Sequence, residues 1–292
     1  MLRSLAAKMP PSAKRRLRRL VRGSANPYFP GVRGVASISD LYFWIADGEL
    51  DTVLLLENYF SRLFPDLDTR TETTVEFLDA DGRTVAKHRQ AIDHMAAPVL
   101  RASEVLADAG SVLRGTADAY GNVIWYTAVP AAVRAHMAEL GEDMLFWDRG
   151  YIGYLGPNRQ IAFVHGVDKT AVAMSDLRRA PWPIGPEDTF TASPEIPVEF
   201  SEYASLEMIV QNRDTRPRTI DLQVMDVGGR ELNQSKTLQP MGVARFMLNA
   251  DMMDGFDASV PFRLRCTGLP TRFGRPIALK RFHDGPISLM HC

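Results

Sequence analysis

The chain has 292 residues, 46% of them hydrophobic and 24% charged, and a formal net charge of −1. That is the composition of a soluble globular protein with room for about two domains of 100–200 residues. Two cysteines, Cys266 and Cys292, exclude a disulfide framework and point to a reducing cytoplasm, and no run of 18 apolar residues is present to span a membrane.

The near-zero charge hides an asymmetry. Residues 1–39 carry nine Lys or Arg and no acid, leaving 25 bases against all 35 acids in the remainder. Pro10-Pro11 and the interrupting Arg3 and Lys8 argue against an export signal. Leu17, Leu20 and Val21 keep helical spacing among Lys14, Arg15, Arg16, Arg18, Arg19 and Arg22. These six cations are the candidate contacts to an anionic membrane surface, each worth about 1 kcal/mol. The expected location is cytoplasmic, with peripheral attachment at the inner face of the membrane. The acidic body argues against nucleic acid as a partner. Residues 1–35 are thus read as a basic arm and linker, closing on Asn26-Pro27-Tyr28-Phe29-Pro30-Gly31.

Beyond the arm, two stretches read as copies. Val53-Leu54-Leu55-Leu56-Glu57-Asn58 leads to Val75 through Arg83 and closes on Ile161-Ala162-Phe163-Val164-His165. Leu206-Glu207-Met208-Ile209-Val210-Gln211-Asn212 leads to Ile220 through Arg230 and closes on Ile287-Ser288-Leu289-Met290-His291. Repetition of this kind speaks to architecture. Alternation is plain at Leu206, Met208 and Val210, at Ile220, Leu222 and Val224, and at Phe262, Leu264 and Cys266. It predicts half-buried strands, with Glu207, Ile209 and Gln211 on the opposite face. Turn chemistry separates the strands at Asp79-Ala80-Asp81-Gly82-Arg83, Val227-Gly228-Gly229, Pro240-Met241-Gly242 and Gly268-Leu269-Pro270. The first copy is longer. Seven extra residues near Ser61 to Leu67 read as a longer loop, and Pro130 to Leu145 reads as an amphipathic helix through Val133, Met137, Leu140 and Met144. Tyr120-Gly121-Asn122 reads as a hairpin turn before Val123.

The expected fold is all-β: two tandem antiparallel sandwiches, immunoglobulin-like or jelly-roll-like, the first with an inserted helix. The first covers residues 36–172 and the second 200–292. Residues 173–199 form a connector stiffened by Pro181, Pro183, Pro186, Pro194 and Pro197, through which the units pack. Open sheet edges make a homodimer an expected partner state.

Candidate chemistry is sparse. No Gly-x-Ser-x-Gly elbow, Walker loop or His-Glu-x-x-His is present. His165 and His291 end equivalent strands, and Trp147, Asp148 and Arg149 combine an aromatic platform with planar polar groups, as a sugar site does. These five residues are the candidate ligand contacts. Asp79 opens like a calcium loop, but the closing Glu is replaced by Gln90, so hairpin geometry is expected there and no metal or cofactor is assigned.

The second copy resembles the small all-β units of the bacterial sensory-rhodopsin transducer family. The resemblance rests on Ile209-Val210-Gln211-Asn212, the strand from Ile220 to Asp226, Arg245-Phe246-Met247-Leu248-Asn249 and Arg275-Pro276-Ile277-Ala278, over residues 200–282. It implies a β-sandwich that binds or scaffolds, and no residue carries the transducer role across. The expected function is a non-enzymatic binding or scaffolding protein with a glycan or protein ligand. The alternative is a carbohydrate-active enzyme with a cleft between the sandwiches.

Overall fold

A computed structural model describes residues 35–140, 151–166, 168–173, 190–192, 201–214, 216–257, 259–269 and 276–291. The described chain is dominated by strands. In the first part these are β1 (Val35–Ile45), β2 (Asp51–Leu55), β3 (Thr71–Asp79), β4 (Thr84–Ile92), β5 (Val99–Arg101), β6 (Tyr120–Ala128), β7 (Tyr151–Leu155), β8 (Ile161–His165) and β9 (Asp168–Ala173). The second part holds β10 (Phe190–Ala192), β11 (Tyr203–Gln211), β12 (Arg218–Met225), β13 (Glu231–Leu238), β14 (Val243–Asn249), β15 (Arg263–Leu269), β16 (Ile277–Phe282) and β17 (Ile287–His291). Among the described residues three α-helices, α1 (Tyr59–Leu63), α2 (Ala102–Asp108) and α3 (Ala131–Leu140), and one 3-10 turn (Pro157–Arg159) interrupt the first part.

All-β therefore holds, but the expected pair of self-contained sandwiches is corrected to four small antiparallel sheets. Sheet I runs β4-β3-β6-β1-β9, sheet II β5-β2-β7-β8, sheet III β10-β15-β12-β13 and sheet IV β14-β11-β16-β17. Strands β10 to β17 occupy the same neighbour relations as β1 to β8, one for one, with β9 as an addition to sheet I. Registers agree as well. Leu54 faces Ile152 as Met208 faces Ala278, and Val53 faces Gly153 as Glu207 faces Leu279.

Sheet IV is the reason that the sandwich expectation fails. Its Leu206, Met208, Val210, Phe246 and Leu248 share one core with Ile220, Leu222, Val224, Leu264 and Cys266 of sheet III. Its other face contributes Ile209, Val243, Ile277, Leu279 and Leu289 to the core of sheets I and II, built on Tyr42, Trp44, Phe77, Trp125, Leu54, Ile152 and Tyr154. Alternation predicted one wet face, yet Glu207, Ile209 and Gln211 are all buried, because the first part covers that face. Trp44 sits edge-on to Phe77 at 5.6 Å, and its indole nitrogen donates to the Leu78 carbonyl at 2.7 Å. Buried rings of this size each remove roughly 150–250 Å² from water, about 4–6 kcal/mol of gross transfer free energy as an upper bound.

The matched asparagines do the same work. Asn58 donates from Nδ2 to the carbonyls of Thr69 (2.8 Å) and Asp93 (2.9 Å), on either side of the β3–β4 hairpin. Asn212 donates to Arg216 (2.9 Å), Leu238 (3.2 Å) and Gln239 (2.9 Å), on either side of β12–β13. The hairpin turns are alike too. Asp79 Oδ1 accepts from the Arg83 amide at 2.8 Å, and Asp226 Oδ1 from the Arg230 amide at 2.8 Å. Gly82 and Gly229 supply φ of +81° and +83°.

Several local expectations change. Of the expected loop, Ser61 to Leu63 belong to α1, capped by Asn58 Oδ1, while Phe64 to Leu67 follow it without helix or strand. The inserted helix is α3. Val133 and Met137 pack on Ile38, Phe60 and Val129, and the remainder of the predicted span lies outside the described residues. Tyr120-Gly121-Asn122 is no turn: it lies inside β6, opposite Ile45, Trp44 and Phe43. Gly121 is needed there because a Cβ would meet the Leu78 carbonyl oxygen at 1.9 Å. Gly268 and Leu269 likewise belong to β15, and Gly268 (φ +82°) lies beside the Thr219 carbonyl. The two parts pack directly through a shared core, and most of the connector lies outside the described residues.

Candidate functional site

Among the five candidate ligand residues, Trp147, Asp148 and Arg149 lie outside the described residues, as do the six arm cations. His165 and His291 are described, and the fold brings them together. Strands β8 and β17 are edge strands of sheets II and IV and run side by side. At one end the Ile287 amide donates to Gln160 Oε1 at 3.2 Å. At the other, His291 Nε2 donates to the His165 carbonyl at 2.8 Å, and the two rings lie 4.4 Å apart between centroids. His165 Nδ1 donates to the Gly166 carbonyl at 3.0 Å. A carbonyl only accepts, so His291 carries a proton on Nε2 and His165 carries one on Nδ1. The pair fastens the two edges. Among the described residues no cluster of three or more His, Cys, Asp or Glu is disposed to hold a metal.

A second group at the same junction escaped the sequence reading. Glu207, fully buried, receives Arg245 Nε on Oε2 at 2.6 Å and Arg281 Nη1 on Oε1. Arg281 also reaches Glu49 Oε2 at 3.8 Å, and the Arg245 guanidinium lies 4.9 Å from the centre of the Tyr120 ring. Burial pushes the Glu207 carboxyl up, but the hydrogen bond and charge of Arg245, with those of Arg281, hold it below its ordinary value. Burial raises the Tyr120 phenol, with Arg245 opposing. Both arginines are committed to a carboxylate, so the group acts as a cross-strand clamp of β14, β11 and β16 within sheet IV rather than an anion receptor. Its signal in sequence was a lone Glu within the apolar strand Leu206–Val210. Beside it, Asn122 Nδ2 donates to the Met241 carbonyl at 2.6 Å while its Oδ1 accepts from Gln211.

The surface that remains open is the outward face of sheet II. Tyr151, Ile161, Phe163 and Val99 are 56%, 43%, 53% and 60% exposed, and Val53, Leu55 and Leu155 between them are half-buried. Cross-strand pairing explains why they share one face. Tyr151 lies opposite His165, Gly153 opposite Phe163, and Leu155 opposite Ile161, while Val53 and Leu55 pair with Arg101 and Val99. Gly153 lets the side chains lie flat: a Cβ there would meet Ile161 Cδ1 at 2.6 Å and the Phe163 ring at 3.0 Å. Arg101 and His165 stand at the margins of this apolar platform. The outward face of sheet III offers a contrast, with Asp221, Gln223, Arg263, Arg265 and Thr267 on its central strands. The segment carrying Trp147, Asp148 and Arg149 precedes Tyr151 directly in the chain.

No family model matches the chain, and no curated protein matches it. Solved structures give faint likenesses. A Bacteroides uniformis β-glucuronidase is 14% identical, with 88% of this chain and 26% of that one covered, at a TM-score of 0.19. A glycosyl hydrolase family 2 member from Bacteroides cellulosilyticus is 13% identical over 88% and 26% of the two chains, at 0.16. An anti-sigma factor domain-containing protein is 7% identical over 87% and 82%, at 0.15. This chain spans about a quarter of the length of the two hydrolases. Likenesses of this size carry no argument about activity.

Proposed function

We propose that the protein is a non-enzymatic binding or scaffolding module that engages a protein or glycan through the outward face of sheet II. One observation carries this reading: Val99, Tyr151, Ile161 and Phe163 stand exposed on one sheet face around the half-buried Val53, Leu55 and Leu155. Isolated exposed apolar residues are ordinary, whereas a contiguous set on a rigid sheet marks a contact surface. The Phe163 and Tyr151 rings give a flat platform to a sugar ring or a partner side chain. The one-for-one strand order suits an internal duplication that built a rigid double scaffold. The resemblance of residues 200–282 to transducer-family units points the same way. A glycan array probed with the wild type and with Phe163→Ala and Tyr151→Ala tests the glycan form. Signals that the substitutions abolish support it; wild-type signals that survive both refute it.

The arm adds a second element to this reading. Lys14, Arg15, Arg16, Arg18, Arg19 and Arg22 would hold the module to an anionic bilayer surface. Among the described residues no helix is long and apolar enough to cross a membrane. Sedimentation with phosphatidylserine vesicles, with and without residues 1–25, tests the attachment, and equal sedimentation of the two would remove it.

The meeting of His165 and His291 is the observation that favours the rival, a carbohydrate-active enzyme working between the two parts. Hydrolysis of aryl glycosides that His291→Ala abolishes would establish it. The His291 ring is already engaged by the His165 carbonyl and the His165 ring by the Gly166 carbonyl, which favours the binding reading.

A further inference from the structure

We draw no further inference here: the strongest candidate, the partly exposed apolar face of sheet II around Tyr151, Ile161 and Phe163, carries nothing beyond the reading already proposed because nothing in the structure shows what covers it.

Discussion

Replacing Glu207 by Gln keeps volume and one carbonyl acceptor but removes the charge that two arginines share. The side chain of Glu207 is 0% exposed, against 16% for Arg245 and 20% for Arg281. Removing one member of a buried ion pair costs about 3–5 kcal/mol, because the partner charge is left in a poor solvent. Here both guanidinium groups keep some water, and Arg281 retains Glu49 at 3.8 Å, so the expected loss falls to about 2–3 kcal/mol. Urea unfolding at neutral pH measures it as a lower midpoint at unchanged slope. The pH dependence gives a second reading. Glu207 is held below its ordinary value near 4.5, so the folded state binds its proton less readily than the unfolded chain does. The stability it contributes is complete above that ordinary value and is lost as pH falls through the folded value. Wild type and Glu207→Gln should therefore differ by a constant amount near neutrality and converge in acid. A loss under about 0.5 kcal/mol, or a gap that ignores pH, would refute the clamp.

Two glycines of the matched turns separate strain from crowding. Gly229→Ala meets open space and should cost about 1 kcal/mol for its positive φ. Gly82→Ala has the same φ, but its Cβ would meet the Pro240 carbonyl oxygen at 2.1 Å, so thermal melts should show a loss at least twice as large. Asn58→Ala and Asn212→Ala should each cost about 2–4 kcal/mol in urea, since each strands two or more carbonyls around a hairpin base; a loss at one site alone would deny their equivalence. Asn122→Ala removes the contact to the Met241 carbonyl and the acceptor of Gln211, and should lower the melting temperature by several degrees for about 1–3 kcal/mol.

Strand positions were legible wherever alternation met turn residues, as at Leu206 to Val210 and Ile220 to Val224. The inserted helix was legible from Val133 and Met137. What alternation could not convey was the covering of Glu207, Ile209 and Gln211, because strand period reports that faces differ and not what lies against each. Tyr120-Gly121-Asn122 misled for a related reason. Gly and Asn serve a turn by backbone freedom, but here Gly121 admits a neighbouring carbonyl and Asn122 spans the two halves. Of the candidate site, the equivalence of His165 and His291 was readable from the copies, and their meeting was not. The Glu207 clamp drew residues from β11, β14 and β16, which no local pattern links.

Sheet IV has consequences for how the molecule can be divided. A fragment ending before residue 201 would lose the lid over Phe43, Trp44 and Tyr154. Its complement would turn Ile209, Val243, Ile277 and Leu289 toward water and invite clumping. Nature, or a protein engineer, can thus graft new loops onto this molecule far more readily than trade one of its halves for another.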